Sequence, residues 1–314
     1  HTERFDAAYG FQGKETKDFA AYLVGRDIVD GASVTVPGIA SRWELSDDGM
    51  TTTFTIRKGV KFHDGTEVTA EDVAWSLQHC MGPQAKEHIL GAACIRYSTD
   101  MDRIEQITID QVAVVSTVPI PEMWGYSSKG AGGAPLGRIL PKRDTLWDEK
   151  EAQAFDRNPI GAGLIKLVEH RQGESMTFER FGDYYHQPAN GFPTDHRLQF
   201  SLYKVVAAAD ASTRIAALRA GEVDFGRVSL DAASQIEAGG GRMMYSPQAL
   251  AFEVQQWGCF NPQVPCNDRR VRQALSYAID KELIRDALYG GTDVMHAKGW
   301  SVVGPSTIGY SPEL

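Results

Sequence analysis

Apolar and polar positions alternate most cleanly over Thr51–Lys58, with Phe54 and Ile56 on one side and Thr53, Thr55 and Arg57 on the other. Such a β-branched run suits a strand with one buried face. Asp47-Asp48-Gly49 before it and His63-Asp64-Gly65 after it are turn signals, because Asp bonds to nearby backbone and Gly tolerates positive φ. The period then changes from two to that of a helix. Thr69 is placed as an N-cap, Glu71 and Asp72 lie in the first turn where the helix dipole favours negative charge, and Val73, Ala74 and Leu77 form the apolar face. Val68 and Val73 stand at the positions of a hydrophobic staple.

Similar reasoning extends along the chain. Ile104–Val118 reads as two strands around a turn, and Gly125–Gly137 as a Gly- and Ser-rich loop with Trp124 and Tyr126 beside it. Asn158–Gly163 is a break, followed by strands at Leu164–Glu169 and Met176–Phe181. Leu198–Val206 alternates as a strand. Asp210 caps a helix with Ile215 and Leu218 on its inner face, stopped by Gly221, after which Glu222–Phe225 returns to extended structure. Ala251–Phe260 reads as a strand. Asn267 or Asp268 caps a helix carrying Val271, Ala274, Leu275 and Ala278, and Asp280 caps another carrying Leu283, Ile284, Ala287 and Leu288. No internal repeat is found, and the interspersed strands and helices indicate a mixed α/β architecture.

At 314 residues the chain is long for a single core, so two or more domains are expected. A formal net charge of −9 argues against nucleic acid as a partner, because phosphate binding needs a basic face. No run approaches the roughly 18–20 apolar residues of a membrane span. The polar opening HTERFD is not a secretory leader and fits a processed or trimmed chain. Four cysteines allow three pairings. Their spacing favours Cys259–Cys266 and Cys80–Cys94, with buried free thiols as the alternative.

Candidate catalytic constellations are thin. Ser201 and Lys204 have a Ser-x-x-Lys spacing, but on a strand they point to opposite faces, and no Lys-Thr-Gly partner exists. Gly130–Gly133 and Gly161–Gly163 lack the Gly-Lys-Ser/Thr ending of a phosphate loop and read as turns. His79, Cys80, His88 and Cys94 cluster in sequence without a metal-ligand pattern, so no metal and no cofactor is expected. His63 reads as a structural histidine bonded to nearby backbone, and Trp43 and Trp75 as core.

Five segments occur in an order that resembles the extracytoplasmic solute-binding proteins of ABC transporters, family 5, the oligopeptide-, dipeptide- and nickel-binding type. They are PGIASRWELSDDG (37–49), TFTIRKGVKFHDGTEVTAEDVAWS (53–76), NPIGAGLIKL (158–167), DASTRIAALRAGEVDFG (210–226) and FNPQVPCNDRRVRQALSYAIDKELI (260–284). Ala162 and Leu164 depart from the family's Pro-Val-Gly-Thr-Gly-Pro-Tyr pattern. The resemblance implies a two-lobed Venus flytrap with an inserted subdomain. Residues 1–40 and about 159–255 would build the first lobe, 41–158 the insertion, and 256–314 the start of a second lobe that is largely absent. It further implies a periplasmic or otherwise extracytoplasmic location, with a lipid anchor as one form of the full-length protein, and that compartment favours both disulfides. The implied role is a carrier and not an enzyme: a monomer that captures a peptide-like small solute and hands it to a membrane permease. An enzyme on a similar scaffold, or a ligand-sensing domain of a regulator, is the alternative. The lobe crossing offers Trp257 and Gln256 as ligand contacts, with hinge packing as the alternative for Trp257, and the insertion offers Trp124 and Tyr126, with core packing as the alternative. Tyr22 is a further candidate, with core packing as the alternative. Arg138 has a planar fork that could pair with a ligand carboxylate, but its type points first to a solvated surface arginine.

Overall fold

A computed structural model describes residues 5, 18–29, 32–83, 85, 94, 98–120, 137–143, 149–192, 194–208, 210–244 and 262–289. The chain divides into two compact units, residues 1–207 and 208–314.

The first unit holds an antiparallel four-stranded sheet built from β4 (Ala40–Leu45), β5 (Thr51–Ile56), β6 (Met101–Thr108) and β7 (Gln111–Ser116), in the order β4-β5-β7-β6. The alternation expected of β5 is present: Thr52, Phe54 and Ile56 are buried, and the intervening threonines are half-buried. Phe54 pairs with Trp43 on β4 and Val112 on β7, at the centre of the sheet. Helix α1 (Ala70–Met81) begins where the sequence places it. The Thr69 hydroxyl accepts from the Asp72 N–H, and the Asp72 carboxylate accepts from the Thr69 N–H, a reciprocal capping box. Val68 and Val73 are both buried, as a staple requires. Replacing Thr69 by alanine is expected to cost about 1 kcal/mol, read as a lower urea midpoint at unchanged slope.

Cys80 at the end of α1 is bonded to Cys94. This removes both thiols from any metal set, and among the described residues no group of three His, Cys, Asp or Glu side chains could hold a metal ion. Cys266 is also disulfide-bonded, while Cys259 lies outside the described residues.

A second sheet, β11-β10-β9, comprises β9 (Ile165–Arg171), β10 (Ser175–Arg180) and β11 (Leu202–Val206), all antiparallel. The strand expected from Leu198 starts only at Leu202, after bends at 199–201. Two further pairings lie among its described residues: β2 (Val24–Val29) with β3 (Ala32–Pro37), and β1 (Ala21–Tyr22) with β8 (Arg138–Ile139). Helix α2 (Glu149–Arg157) precedes the break at 158–163. One buried cluster joins Leu23 and Ile39, Phe54, Leu77 and Val112, and Ala162 and Tyr185. Segments before residue 41, within 41–158 and after 158 thus share one core.

The second unit contains α3 (Ala211–Ala220), α4 (Ala233–Ala238), α5 (Arg269–Ala278) and α6 (Lys281–Tyr289). Asp210 caps α3 by accepting from the Thr213 N–H at 2.7 Å, and Gly221 ends it with φ of 71°. Residues 222–225, expected to be extended, join no strand and bend at Glu222 and Asp224. The N-cap of α5 is Asp268. Apolar side chains on α5 and α6, among them Leu275, Leu283 and Ile284, are exposed. The strand expected at Ala251–Phe260 lies outside the described residues. Among those described, no helix is long and apolar enough to cross a membrane.

Candidate ligand-binding site

Two of the sequence-selected residues, 116 positions apart, meet in the first unit. In the pairing of β1 with β8, Tyr22 stands opposite Arg138. The Arg138 Nε–H donates to the Tyr22 hydroxyl oxygen at 3.1 Å, and the guanidinium carbon lies 5.8 Å from the centre of the Tyr22 ring. Arg138 is only 7% exposed and Tyr22 only 6%. The expectation of a solvated Arg138 is therefore overturned. The reason is topological: a buried two-residue strand carries it into the interior beside a phenol.

The backbone makes this close approach possible. Leu23 N–H donates to Gly137 C=O, while Ile39 N–H donates to Tyr22 C=O and Ala40 N–H to Leu23 C=O, so the β1 segment is held from both sides. Gly38 is required here, because a Cβ would stand 2.5 Å from the Tyr22 carbonyl oxygen.

A buried guanidinium without an anionic neighbour is expensive, and phenol and ring contacts offset only part of that cost. Among the described residues no carboxylate pairs with Arg138. A polar surface hollow lined by Arg180, Asp195 and Arg197 differs in this respect. There Arg197 grips Asp195 at 2.7 Å, and these hydrogen bonds bring the Asp195 carboxyl down to about 2, so that arginine has a carboxylate partner. For Arg138 the described hydrogen-bond partner is a phenol and not a carboxylate.

Phenols stand near Tyr22. Burial pushes the Tyr184 hydroxyl well above its usual value, reinforced by Tyr185, Asp18 and Tyr22, and burial pushes Tyr185 up to about 12. Both remain neutral donors at any physiological pH. Behind them runs a column that the sequence reading missed. Arg57 lies 4.5 Å from the Phe192 ring centre, Phe192 stacks on His186 at 4.1 Å, and His186 stacks on His196 at 3.6 Å. The Thr194 hydroxyl lies 3.0 Å from His186 Nε2 and 3.1 Å from His196 Nε2. The aromatic run Asp183-Tyr184-Tyr185-His186 was the available signal.

His63 bonds to backbone, as expected, and to a partner 98–100 residues away. Its Nε2–H donates to Gly163 C=O at 3.1 Å and its Nδ1 accepts from Gly161 N–H at 3.2 Å. Gly161 and Gly163 serve close backbone approach more than turning: an added Cβ would stand 2.3 Å from Phe19 O and 2.2 Å from Asp18 O respectively. Trp124, Tyr126, Gln256 and Trp257 lie outside the described residues.

The profile of the bacterial extracellular solute-binding proteins, family 5 (Middle), matches residues 34–313. The dipeptide-binding protein of Escherichia coli K12 is 29% identical over 306 residues, covering 90% of this chain and 52% of that protein. NikZ from Campylobacter jejuni, solved with Ni(L-His), superposes with a TM-score of 0.67 at 21% identity over 92% of this chain and 54% of NikZ. DppA from Helicobacter pylori, solved with the peptide STSA, gives 0.66 at 22% identity over 92% and 56%. The chain spans about half the length of the relatives it matches.

Proposed function

The chain belongs to the bacterial extracellular solute-binding proteins of family 5, and from that premise we propose that it forms part of a carrier that captures a peptide-like solute bearing a free carboxylate for an ABC importer. The buried Arg138–Tyr22 pair supports this reading, because a desolvated guanidinium lacking a described acidic neighbour favours a ligand carboxylate. The E. coli relative is named for dipeptides, and a free dipeptide ends in such a carboxylate.

In this reading residues 1–40 and about 159–255 belong to the first lobe, 41–158 to an inserted subdomain and 256 onward to the second lobe. Ligand touching both lobes only when they close shifts an open–closed equilibrium, and the closed form docks on a membrane permease. The proposal includes Trp124, Tyr126, Gln256 and Trp257 as further contacts, a Cys259–Cys266 bridge, an extracytoplasmic location and a monomeric state. It places no catalytic step in the chain.

Calorimetric titration of the full-length protein with alanyl-alanine and with its C-terminal amide tests the proposal. The free dipeptide is expected to bind about tenfold or more tightly than the amide, and Arg138→Met to remove that preference. Equal binding of both compounds, or hydrolysis of the dipeptide, overturns it.

A further inference from the structure

Arg138 sits on a strand of two residues, and a pairing that short does not hold a side chain in place unaided. The chain beyond it supplies the restraint. Ser76, in the middle of α1 and 4% exposed, makes two hydrogen bonds with one residue: its hydroxyl accepts from Leu140 N–H at 3.0 Å and donates to Leu140 C=O at 3.0 Å. A serine hydroxyl thus takes the place of a neighbouring strand for the residue two beyond Arg138. The first turn of α1 repeats the device. Asp72 Oδ1 accepts from Lys142 N–H at 2.8 Å while its Oδ2 serves the capping box, and Glu71 pairs with the Lys142 ammonium. On the other side, Gly137 C=O accepts from Leu23 N–H. Residues 137–142 are therefore tied at alternate positions, and Arg138 is free only in its side chain.

We propose that Ser76 is a positioning residue for the solute site: by bonding both backbone groups of Leu140 it sets the depth and direction from which the Arg138 guanidinium meets a solute carboxylate. This rests on the reading of Arg138 as the anion receptor. Ser76 itself touches no solute. Its hydroxyl acts through about five covalent bonds of backbone and the Tyr22 contact, and its geometry is independent of which anion is bound. Without it, two buried backbone groups lose their partner, and the β8 segment recovers them only by shifting toward α1 or toward water. Either shift moves Arg138 from the Tyr22 oxygen, which is within hydrogen-bond reach by a margin of only a few tenths of an ångström.

The test is hydrogen exchange of the Arg138 Nε–H, followed by NMR in the full chain without solute, alongside calorimetry with alanyl-alanine. Ser76→Ala is expected to speed Arg138 Nε–H exchange about tenfold relative to the backbone amides of β5 and β7, and to weaken alanyl-alanine about tenfold. Ser76→Thr, which restores the hydroxyl, is expected to reverse both. Should Ser76→Ala not fold, Ser76→Cys weakens the same two bonds at nearly unchanged volume and is read in the same way. Unchanged exchange at Arg138, or acceleration equal to that of β5 and β7, overturns the positioning role and leaves a merely structural serine. If exchange responds as expected but Arg138→Met leaves alanyl-alanine binding intact, the solute reading fails while the positioning role stands.

Discussion

Replacing Gly163 by alanine is expected to cost at least about 3 kcal/mol, a large part of the roughly 5–15 kcal/mol that keeps a domain folded. The single added carbon would stand 2.2 Å from the Asp18 carbonyl oxygen, 2.4 Å from the Phe19 carbonyl carbon and 2.5 Å from the Phe19 oxygen. All three are backbone atoms, so no side-chain rotation relieves the overlap. The backbone there is also fully committed: Gly163 N–H donates to Phe19 C=O, and Gly163 C=O accepts from His63. Moving it breaks bonds on both sides. Gly182 is the control, since nothing lies within 4 Å of an added Cβ there and its φ is not positive. Gly182→Ala is expected to be neutral or slightly stabilising, because alanine restricts the unfolded chain. Urea titrations of the two variants decide the matter; a Gly163→Ala midpoint matching the parent would show that residues 18–19 can retreat from this joint.

The second large effect is on acid stability and centres on His63. With Nδ1 accepting from Gly161 N–H, the ring is held in the neutral Nε2–H form, edge-on to Phe19 and Phe181, each 4.9 Å away. Burial brings its pKa down to about 4 from the usual 6.5, more than the Gly163 carbonyl offsets. The unfolded chain therefore takes up this proton at higher pH than the folded one. Stability from this group is complete above about 6.5, falls as pH drops toward about 4, and is level below that. The gap corresponds to about 3 kcal/mol at full protonation. Chemical denaturation from pH 7 to 4 is expected to show this loss, and His63→Gln to start less stable with that portion of the slope missing. Parallel pH profiles for parent and variant would contradict the assignment.

Gly163 and His63 also mark where reading the chain reached its limit. The HDG turn and the backbone-bonded role of His63 are legible because Asp64 bonds to Thr66, two residues on, and Gly65 takes φ of 90°. That the histidine bonds to a loop almost a hundred residues later is not, since nothing local encodes the distant partner. The same holds for Arg138 and Tyr22. Arg138 reads as a surface residue on its type alone, and only the pairing of β1 with β8 reveals that it is buried against Tyr22. Tyr184 and Tyr185 were overlooked because an aromatic pair beside a Gly-Asp turn has no periodicity to place it inside or outside.

By itself the sequence determined what depends on neighbours within a few residues. It determined the capped start of α1, the alternating β5, the Asp210 cap with its Gly221 stop, and the ordered segments that assign the family. Short-range hydrogen bonds and side-chain periods are properties of the local chain, so they can be read from it. Which arginine is buried, and which helix holds its strand, was decided by the tertiary structure alone. Desolvation depends on everything packed around a group, and for Arg138 that surrounding comes from Tyr22 and from a strand held to α1 through Ser76. The signature helix, which reads as scaffold only, thereby helps to hold the strand that carries Arg138.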